Sequence, residues 1–393
     1  GDTAVRDGAA LVTREPIEAW KKYMAFHIAS DNASQLSKAF DDASFEFFGK
    51  TLRGVEAKRE RWKRGVSLLD QNIGEGVGQV YVTRFFPPEN KARMDALVAN
   101  LRTALDGRLK TLAWMDDATR AEALAKLGTL EPRVGYPSKW RDYSAMTIEK
   151  GKHFENVINA RAFEWKRQVA RLGEPVDREE WGMNPQTVNA SYNPFMNQIT
   201  FPAAILQPPF FDVHADPAVN YGAIGAVIGH EIGHGFDDQG RAFDSAGRTR
   251  NWWTPETDAR FKAATEQLGT QYSKYCPVTN GCINGQLTMG ENIGDLGGLT
   301  MAYTAYKLSL DGKDAPVIDG LTGDQRFFLA WAQVWRSMGR EDDTRQRLVT
   351  DPHSMPEFRT NGVVRNMDAW YAAFDVKEGD KLYLPPAERV KIW

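Results

Sequence analysis

Two histidines and a glutamate have a spacing that suits metal chemistry, in the run His230-Glu231-Ile232-Gly233-His234. The run matches the pattern H-E-x-x-H. On a helix, residues four apart share a face, so both imidazoles can reach one divalent ion such as zinc. Glu231 is rotated by roughly 100° from its neighbour and can address the open side of the ion, where a water would sit. The motif leaves one alternative open, a pair of histidines on a buried helix.

A catalytic zinc needs a third protein ligand beyond two histidines. A metzincin would continue with Gly and His at positions 237 and 240, but Asp237 and Gly240 stand there, which excludes that class. Glu291 and Asp295, four apart on a predicted helix, offer one carboxylate for the metal and one for its surroundings. Asp295 and Asp237 could each accept the second N–H of a ligand histidine and fix its tautomer. In the alternative, Glu291 closes a capping box with Thr288.

The composition is that of a globular protein with a core: 393 residues, 42% hydrophobic and 26% charged, with a formal net charge of −3. This charge balance predicts no nucleic-acid partner. No run approaches the ~18 uninterrupted apolar residues that a membrane span needs. The first seven residues are too polar for a signal peptide, so we expect a chain that is mature, processed or cut from something longer.

Cys276 and Cys282 flank a turn-forming segment that contains Pro, Asn and Gly. A local disulfide would close this turn and would indicate an oxidising compartment such as a periplasm or the extracellular space. The alternative is a pair of incidental thiols in a cytosolic protein.

Apolar spacing and helix start signals predict that the first 175 residues are almost wholly helical. Beyond them, β-like runs and a proline-rich segment precede a Gly- and Ala-rich helix, and helices dominate again from Thr254. We therefore predict a mainly α fold with a small β-sheet (α+β), with a helical lobe at 1–175 and an α+β lobe at 176–393. The predicted elements are helices at Pro16–Ser30, Glu89–Met115, Asp116–Leu127, Lys152–Leu172 and about Val219–Asp237, and a hairpin of Thr187–Tyr192 with Gln198–Phe201.

A colinear series of segments in the second lobe carries a family resemblance. The series runs from Val188-Asn189-Ala190 through the segments 201–211, 227–237 and 290–298 to the terminal Trp393. It resembles the neprilysin and endothelin-converting-enzyme family of zinc peptidases, which includes bacterial oligopeptidases. The resemblance implies a thermolysin-like catalytic lobe at 176–393 and a helical lid lobe at 1–175 that roofs the active site.

The resemblance also implies one Zn²⁺ per chain, held by His230, His234 and Glu291, with Glu231 as the catalytic base. A zinc in that place would acidify a water and polarise the peptide carbonyl. Glu231 would take the proton of that water and later deliver it to the leaving amine. Asp295 is expected to be a further catalytic residue, next to the zinc ligands.

Two further residues and a substrate-binding strand follow from the same resemblance. His353 would stabilise the tetrahedral intermediate, and Arg359, six residues on, would bond a substrate carbonyl. Asn189 and Ala190 would anchor an extended peptide on an edge strand. Ala226, where neprilysin has a bulkier side chain, predicts a roomier pocket. The residues expected to line the pocket for the residue after the scissile bond are Ile205, Phe210, Val227 and Trp335.

The predicted function is a zinc-dependent endopeptidase that hydrolyses oligopeptides on the amino side of hydrophobic residues. Family members are far longer, so the absent first part is either truncated or cleaved away, or exists as a separate chain and partner. The alternative is therefore a zinc-binding but catalytically silent peptide-binding fragment that needs this N-terminal portion. A structural or adhesive surface protein is a third possibility. We expect a periplasmic or secreted bacterial protein without a membrane span.

Overall fold

Helices dominate the computed structural model, which describes residues 2–393. The helices of the first half are α1 (Asp2–Arg14), α2 (Ile17–Asp31), α3 (Lys38–Ser44), α4 (Arg61–Phe85), α5 (Pro88–Thr111), α6 (Asp117–Gly128) and α7 (His153–Ala170). The later helices are α8 (Pro217–Asn220), α9 (Ala226–Gly233), α10 (Pro255–Tyr272), α11 (Met289–Ser309), α12 (Gly323–Val334), α13 (Glu341–Thr350), α14 (Pro356–Val364) and α15 (Asp368–Phe374). The strands are β1 (Glu131–Gly135), β2 (Ser191–Asn193) and β3 (Gln198–Pro202). Within residues 2–393, no helix is both long and apolar enough to cross a membrane.

The predicted mainly α fold with a small sheet is confirmed. The helices expected near residues 16–30, 89–115, 116–127 and 152–172 are α2, α5, α6 and α7, with ends that shift by a few residues. The helix expected to reach Asp237 ends at Gly233 instead. The chain turns there, and the Asp237 carboxylate folds back to the ring of His234, with a distance of 2.7 Å between Oδ2 and Nδ1.

The sheet differs from the predicted hairpin in two ways: its first hairpin strand is shorter, and it contains a third strand. β2 begins at Ser191, so residues 187–190 lie outside the ladder, and it pairs antiparallel with β3. A third strand, β1, pairs with β3 in parallel and comes from more than sixty residues earlier. The strand order β1-β3-β2 leaves β2 at an edge. Sequence patterning missed β1 because a five-residue strand after a helix has no alternation strong enough to mark it.

The chain divides into two compact units whose bounds differ from the predicted division at residue 175. One unit contains the chain up to Leu68 together with Tyr143–Glu174 and Arg340–Asp343, and the other contains Leu69–Asp142, Pro175–Gly339 and Thr344–Trp393. Residues 69–142 join the second unit because α5 packs on α11 and β1 pairs with β3. That a helical lobe roofs the site stays a prediction.

Glycines let α9 and α11 pack backbone against backbone. A Cβ on Gly229 would lie 2.6 Å from the carbonyl oxygen of Gly298, and a Cβ on Gly298 would lie 2.5 Å from the amide nitrogen of His230. Side chains at either position would force the helices apart. The close approach brings the start of α11, with Glu291 and Asp295, beside the histidines of α9.

Cys276 and Cys282 are joined by a disulfide. It closes a turn in which Val278 and Gly281 form an antiparallel bridge and Asn280 has a φ of 58°. Asparagine is one of the residues that tolerate this left-handed conformation, which is why the turn can be so tight.

Asp116 is the N-cap of α6 and also ties that helix to the start of α10. One of its oxygens accepts a hydrogen bond from the Thr119 amide at 2.9 Å, and the other accepts from the hydroxyls of Thr254 and Thr257. We expect Asp116→Ala to lower the free energy of unfolding by about 1–2 kcal/mol, because the cap and the inter-helix bonds are lost together. Urea denaturation of both proteins measures the difference.

The contribution of Asp116 should also depend on pH. The amide of Thr119 and the hydroxyls of Thr254 and Thr257 hold the pKa of this carboxyl below its usual value of 3.8. A pKa that is lower in the folded than in the unfolded state stabilises the fold above the unfolded pKa, and this stability is lost as pH falls through the folded pKa. The difference between wild type and Asp116→Ala should therefore be constant down to about pH 5 and shrink below it. A difference that persists unchanged in acid would contradict this assignment.

Candidate active site

The end of α9 places two imidazoles side by side. The ring centroids of His230 and His234 are 4.5 Å apart. One potential ligand atom from each of His230, Glu231 and His234 lies within 4.8 Å of the other two. Glu231 is buried, with 6% of its surface exposed, and burial raises the pKa of its carboxyl. The three residues thus face one point, with a carboxylate suited to accept a proton.

Glu291 brings a second carboxylate to the same point. Its Oε2 lies 3.2 Å from Nε2 of His230, 3.8 Å from Nε2 of His234 and 3.1 Å from Nε2 of His353. The alternative of a capping box is wrong, because the Thr288 side chain makes no capping hydrogen bond to α11. The hydroxyl of Thr288 instead donates to the backbone carbonyl of Asn284 and accepts from Nδ2 of the Asn292 side chain.

The donor set fits a zinc ion. Oε2 of Glu291 is buried and makes no well-formed hydrogen bond, although imidazole nitrogens surround it. A buried carboxylate oxygen without a hydrogen bond is costly, and a cation at this point would satisfy it. Two imidazoles and one carboxylate are also a ligand set that catalytic zinc takes. The residues that would hold the ion are His230, His234 and Glu291.

Two aspartates orient the histidines from behind. Nδ1 of His230 lies 2.9 Å from Oδ1 of Asp295, and Nδ1 of His234 lies 2.7 Å from Oδ2 of Asp237. These contacts assign the proton to Nδ1 and leave Nε2 of each ring free to bind a metal. This is the arrangement that the sequence predicts for both aspartates.

Asp295 is almost fully enclosed by its partners. Its side chain is 1% exposed, and its two oxygens accept hydrogen bonds from Nη2 and Nε of Arg359 at 2.6 and 2.7 Å, in addition to the contact with His230. The guanidinium also stacks on Trp335, 3.9 Å from the ring centroid. The geometry therefore favours a role for Asp295 in orienting His230 and Arg359. Two N–H groups of Arg359 are already bound to Asp295.

His353 is oriented by an aspartate that sequence reasoning missed. Oδ1 of Asp351 lies 2.8 Å from Nδ1 of His353 and also accepts the backbone N–H of that residue at 2.9 Å. Asp351 in turn accepts a hydrogen bond from Nε of Arg347 at 2.8 Å. The Nε2 atom of His353 consequently points toward Glu291. The spacing Asp-x-His was the available signal, since an aspartate two residues before a histidine can bond both its ring and its amide.

One cavity, of about 410 Å³, contains nearly all the predicted site residues. Ala226 is fully buried and does not itself line the cavity, so the roomier pocket expected from this residue stays a prediction. Asp237 lies behind the histidines, and the two cysteines lie elsewhere. The predicted residues that line the cavity are Asn189, Ala190, Ile205, Phe210, Val227, His230, Glu231, His234, Glu291, Asp295, Trp335, His353 and Arg359, and those not predicted are Val188, Ser191, Tyr192 and Trp331.

The solved structures that match the chain include a zinc metalloprotease. The zinc metalloprotease Zmp1 of Mycobacterium tuberculosis, in complex with an inhibitor, superimposes with a TM-score of 0.95 at 51% identity, covering 98% of this chain and 59% of that chain. PepO from a Lactobacillus species has a TM-score of 0.83 at 31% identity, covering 93% of this chain and 56% of that chain.

Curated relatives at lower identity extend over the same region. Neprilysin-3 of Drosophila melanogaster is 36% identical over 94% of this chain and 48% of its own length. Human endothelin-converting enzyme 1 is 35% identical over 94% of this chain and 49% of its own length. The chain thus spans about half the length of these relatives.

Two family models account for most of the chain. One model of peptidase family M13 matches residues 189–390, which include the histidines, Glu291 and Arg359. A second model of the same family, for its N-terminal part, matches residues 3–137. The resemblance found in the motifs is therefore confirmed over both halves of the sequence, and the chain belongs to peptidase family M13.

Proposed function

We propose that this chain is the catalytic part of a zinc-dependent endopeptidase that hydrolyses oligopeptides. The observation that carries the proposal is the single cavity in which His230, His234 and Glu291 face one another beside a buried Glu231. Zinc bound by these ligands would supply a Lewis acid that polarises the peptide carbonyl and acidifies water. The family of the chain and the zinc metalloprotease among its structural neighbours support the choice of metal and reaction.

The protein groups around that point carry out the proton transfers. Glu231 accepts a proton from the attacking water and returns it to the nitrogen of the leaving amine. His353, held by Asp351 and half-exposed to the cavity, donates from Nε2 to the oxyanion that develops on the peptide carbonyl. The contact with Glu291 raises the pKa of His353, against the opposing effect of burial.

An extended peptide binds along the edge of the sheet. β2 is an edge strand, and the exposed Asn189 with Ala190 lies directly before it on the rim of the cavity. The side-chain amide of Asn189 and the carbonyl of Ala190 anchor the substrate backbone, in the manner of an added strand. Backbone pairing of this kind accepts many sequences, which suits a peptidase of short peptides.

Selectivity comes from an apolar recess in the same cavity. The residues proposed to form this recess are four apolar residues that line the cavity, Ile205, Phe210, Val227 and Trp335. A hydrophobic side chain there gains about 1.5–3 kcal/mol from burial. Cleavage is therefore expected on the amino side of a large hydrophobic residue such as Phe or Leu.

Hydrolysis of a quenched-fluorescence peptide with a central Phe tests this proposal. The purified chain, the chelator-stripped chain and the stripped chain with zinc restored are compared, and the products are located by mass spectrometry. We expect cleavage before Phe that disappears on stripping and returns with zinc. A folded, zinc-loaded chain that leaves the peptide intact would refute the proposal for this chain alone.

The second candidate is a zinc-binding but catalytically silent peptide-binding fragment. An observation in the first compact unit favours it: α2 buries none of its side chains, and Tyr23, Met24, Phe26 and Ile28 on it are 52–67% exposed. Exposed apolar surface of this kind is typical of an interface. Its proposed partner is the further N-terminal portion that the longer relatives contain. A labelled peptide that binds the zinc-loaded chain without turnover would favour this candidate.

We also propose a periplasmic or secreted bacterial location. The disulfide between Cys276 and Cys282 supports it, because disulfides persist in oxidising compartments and are rare in the cytosol. Thiol labelling of the protein in fractionated cells tests this, since the two cysteines should react only after reduction.

A further inference from the structure

Lys126, on α6, is a buried cation that the proposed reaction does not use. Lys126 is only 1% exposed. Its Nζ donates hydrogen bonds to the carbonyl oxygens of Gly235, Gly240 and Phe243, at 2.6, 2.8 and 2.7 Å respectively. An ammonium has three donors, so every N–H of Lys126 has one acceptor. All three acceptors belong to the loop that directly follows α9.

The same loop orients a proposed zinc ligand. The Gly240 amide donates to Oδ1 of Asp237 at 2.7 Å, and the Gln239 amide donates to the same oxygen at 2.9 Å. The other oxygen, Oδ2, is the one that meets Nδ1 of His234. Lys126 thus holds Gly240 through its carbonyl, and the amide of Gly240 holds Asp237. Asp237 in turn orients the ring of His234.

The peptide backbone of Lys126 also connects to the substrate side of the cavity. Its carbonyl accepts a hydrogen bond from Nδ2 of Asn197 at 2.8 Å, and Oδ1 of Asn197 accepts from the hydroxyl of Tyr192 at 3.1 Å. Tyr192 is on the edge strand and lines the cavity. The ammonium lies within 6.0 Å of the ring centroids of Tyr192, Phe236 and Trp252, which favour a cation over a neutral group.

We propose that Lys126 is a positioning residue for the metal centre, whose ammonium holds the loop 235–243 so that Asp237 orients His234 for zinc. The proposal rests on the proposed zinc site. A loop is otherwise the least rigid part of a site, because few of its backbone groups are paired within regular structure. Removal of an orienting contact behind a metal ligand typically weakens metal binding by about 10–100-fold.

Lys126→Met tests this role, because methionine has a similar length and no donor. Two measurements are made, amide hydrogen exchange in the metal-free protein and zinc affinity by chelator competition. We expect the amides of Gln239 and Gly240 to exchange at least about 10-fold faster and the dissociation constant for zinc to rise by about 10–100-fold. If the methionine variant does not fold, Lys126→Arg replaces it, since a planar guanidinium cannot aim one N–H at each of three converging carbonyls.

The matched control is Asp116→Ala, which weakens the other end of α6 without touching the loop. It should leave both the loop amides and the zinc affinity unchanged. If Lys126→Met weakens zinc only as much as this control does, the lysine has a general structural role and the proposal is wrong. Unchanged hydrogen exchange at Gln239 and Gly240 in Lys126→Met would also overturn the proposal. This readout does not depend on zinc. A wild-type chain that bound no zinc would refute the proposed function, which is a separate result.

A double-mutant cycle tests whether the effect passes through Asp237. In an Asp237→Asn background, Lys126→Met should weaken zinc binding by less than about twofold further, because the contact it supports is already altered. Effects of the two substitutions that simply add would show that Lys126 acts on the metal centre by another route, and would contradict the relay proposed here.

Discussion

Glu231→Gln is expected to lower kcat for peptide hydrolysis by about 10²–10⁴-fold while zinc remains bound. The amide has nearly the shape of the carboxylate but cannot accept a proton from water. Glu231 is not among the residues proposed to hold the metal, so the stoichiometry and dissociation constant of zinc should stay close to those of the wild type. Burial keeps this side chain away from bulk water, so solvent hydroxide or buffer has little access to replace it.

Steady-state hydrolysis and zinc titration of the same preparation measure both quantities. Glu357→Gln is the matched control: it makes the same chemical change on an exposed residue of α14, close to Arg359 in sequence. The control should keep wild-type values of kcat and zinc affinity. A Glu231 variant that kept more than about a tenth of the wild-type kcat would show that another group is the base. Loss of zinc together with activity would assign Glu231 to metal binding instead.

The part of the site that helix geometry determines could be predicted from the sequence. His230 lies in the last turn of α9 and His234 directly follows that helix, one turn further on, while Glu291 and Asp295 lie one turn apart on α11, so each pair shares a face whatever surrounds it. Helix geometry does not show that the pair on α11 lies beside the two histidines. The residues around Glu291 alone allow both a ligand and a helix cap, and it is the H-E-x-x-H motif upstream, with the family resemblance, that favours the ligand role.

Contacts between distant segments could not be predicted in this way. The parallel pairing of β1 with β3, the three carbonyls around Lys126 and the close approach at Gly229 and Gly298 all depend on how elements pack. A lysine near the end of a helix is usually solvated, and nothing in its neighbours marks Lys126 as buried. The predicted strand Thr187–Tyr192 is too long at its start, because β2 begins only at Ser191 and residues 188–190 line the cavity outside the ladder.

Arg359→Met is expected to have the largest effect on stability, a loss of about 3–5 kcal/mol in the free energy of unfolding. Both residues of the Arg359–Asp295 pair are buried, and two hydrogen bonds of 2.7 and 2.6 Å join them. Methionine keeps much of the packing against Trp335 but leaves the Asp295 carboxylate without its cation. Urea denaturation of the metal-free proteins measures the loss without a contribution from zinc.

We expect most of this loss of stability to come from the buried Asp295 carboxylate that is left unpaired, and less of it from the lost hydrogen bonds to Arg359. Arg359→Met combined with Asp295→Asn removes both charges and leaves an amide oxygen that can still accept from His230. The double variant should therefore recover a large part of the stability that the single variant loses, since exchanging both partners of a buried pair for neutral groups costs far less than removing one. If the double variant were as unstable as Arg359→Met alone, the loss would come from the packing of the guanidinium on Trp335, and the buried charge would not be its cause.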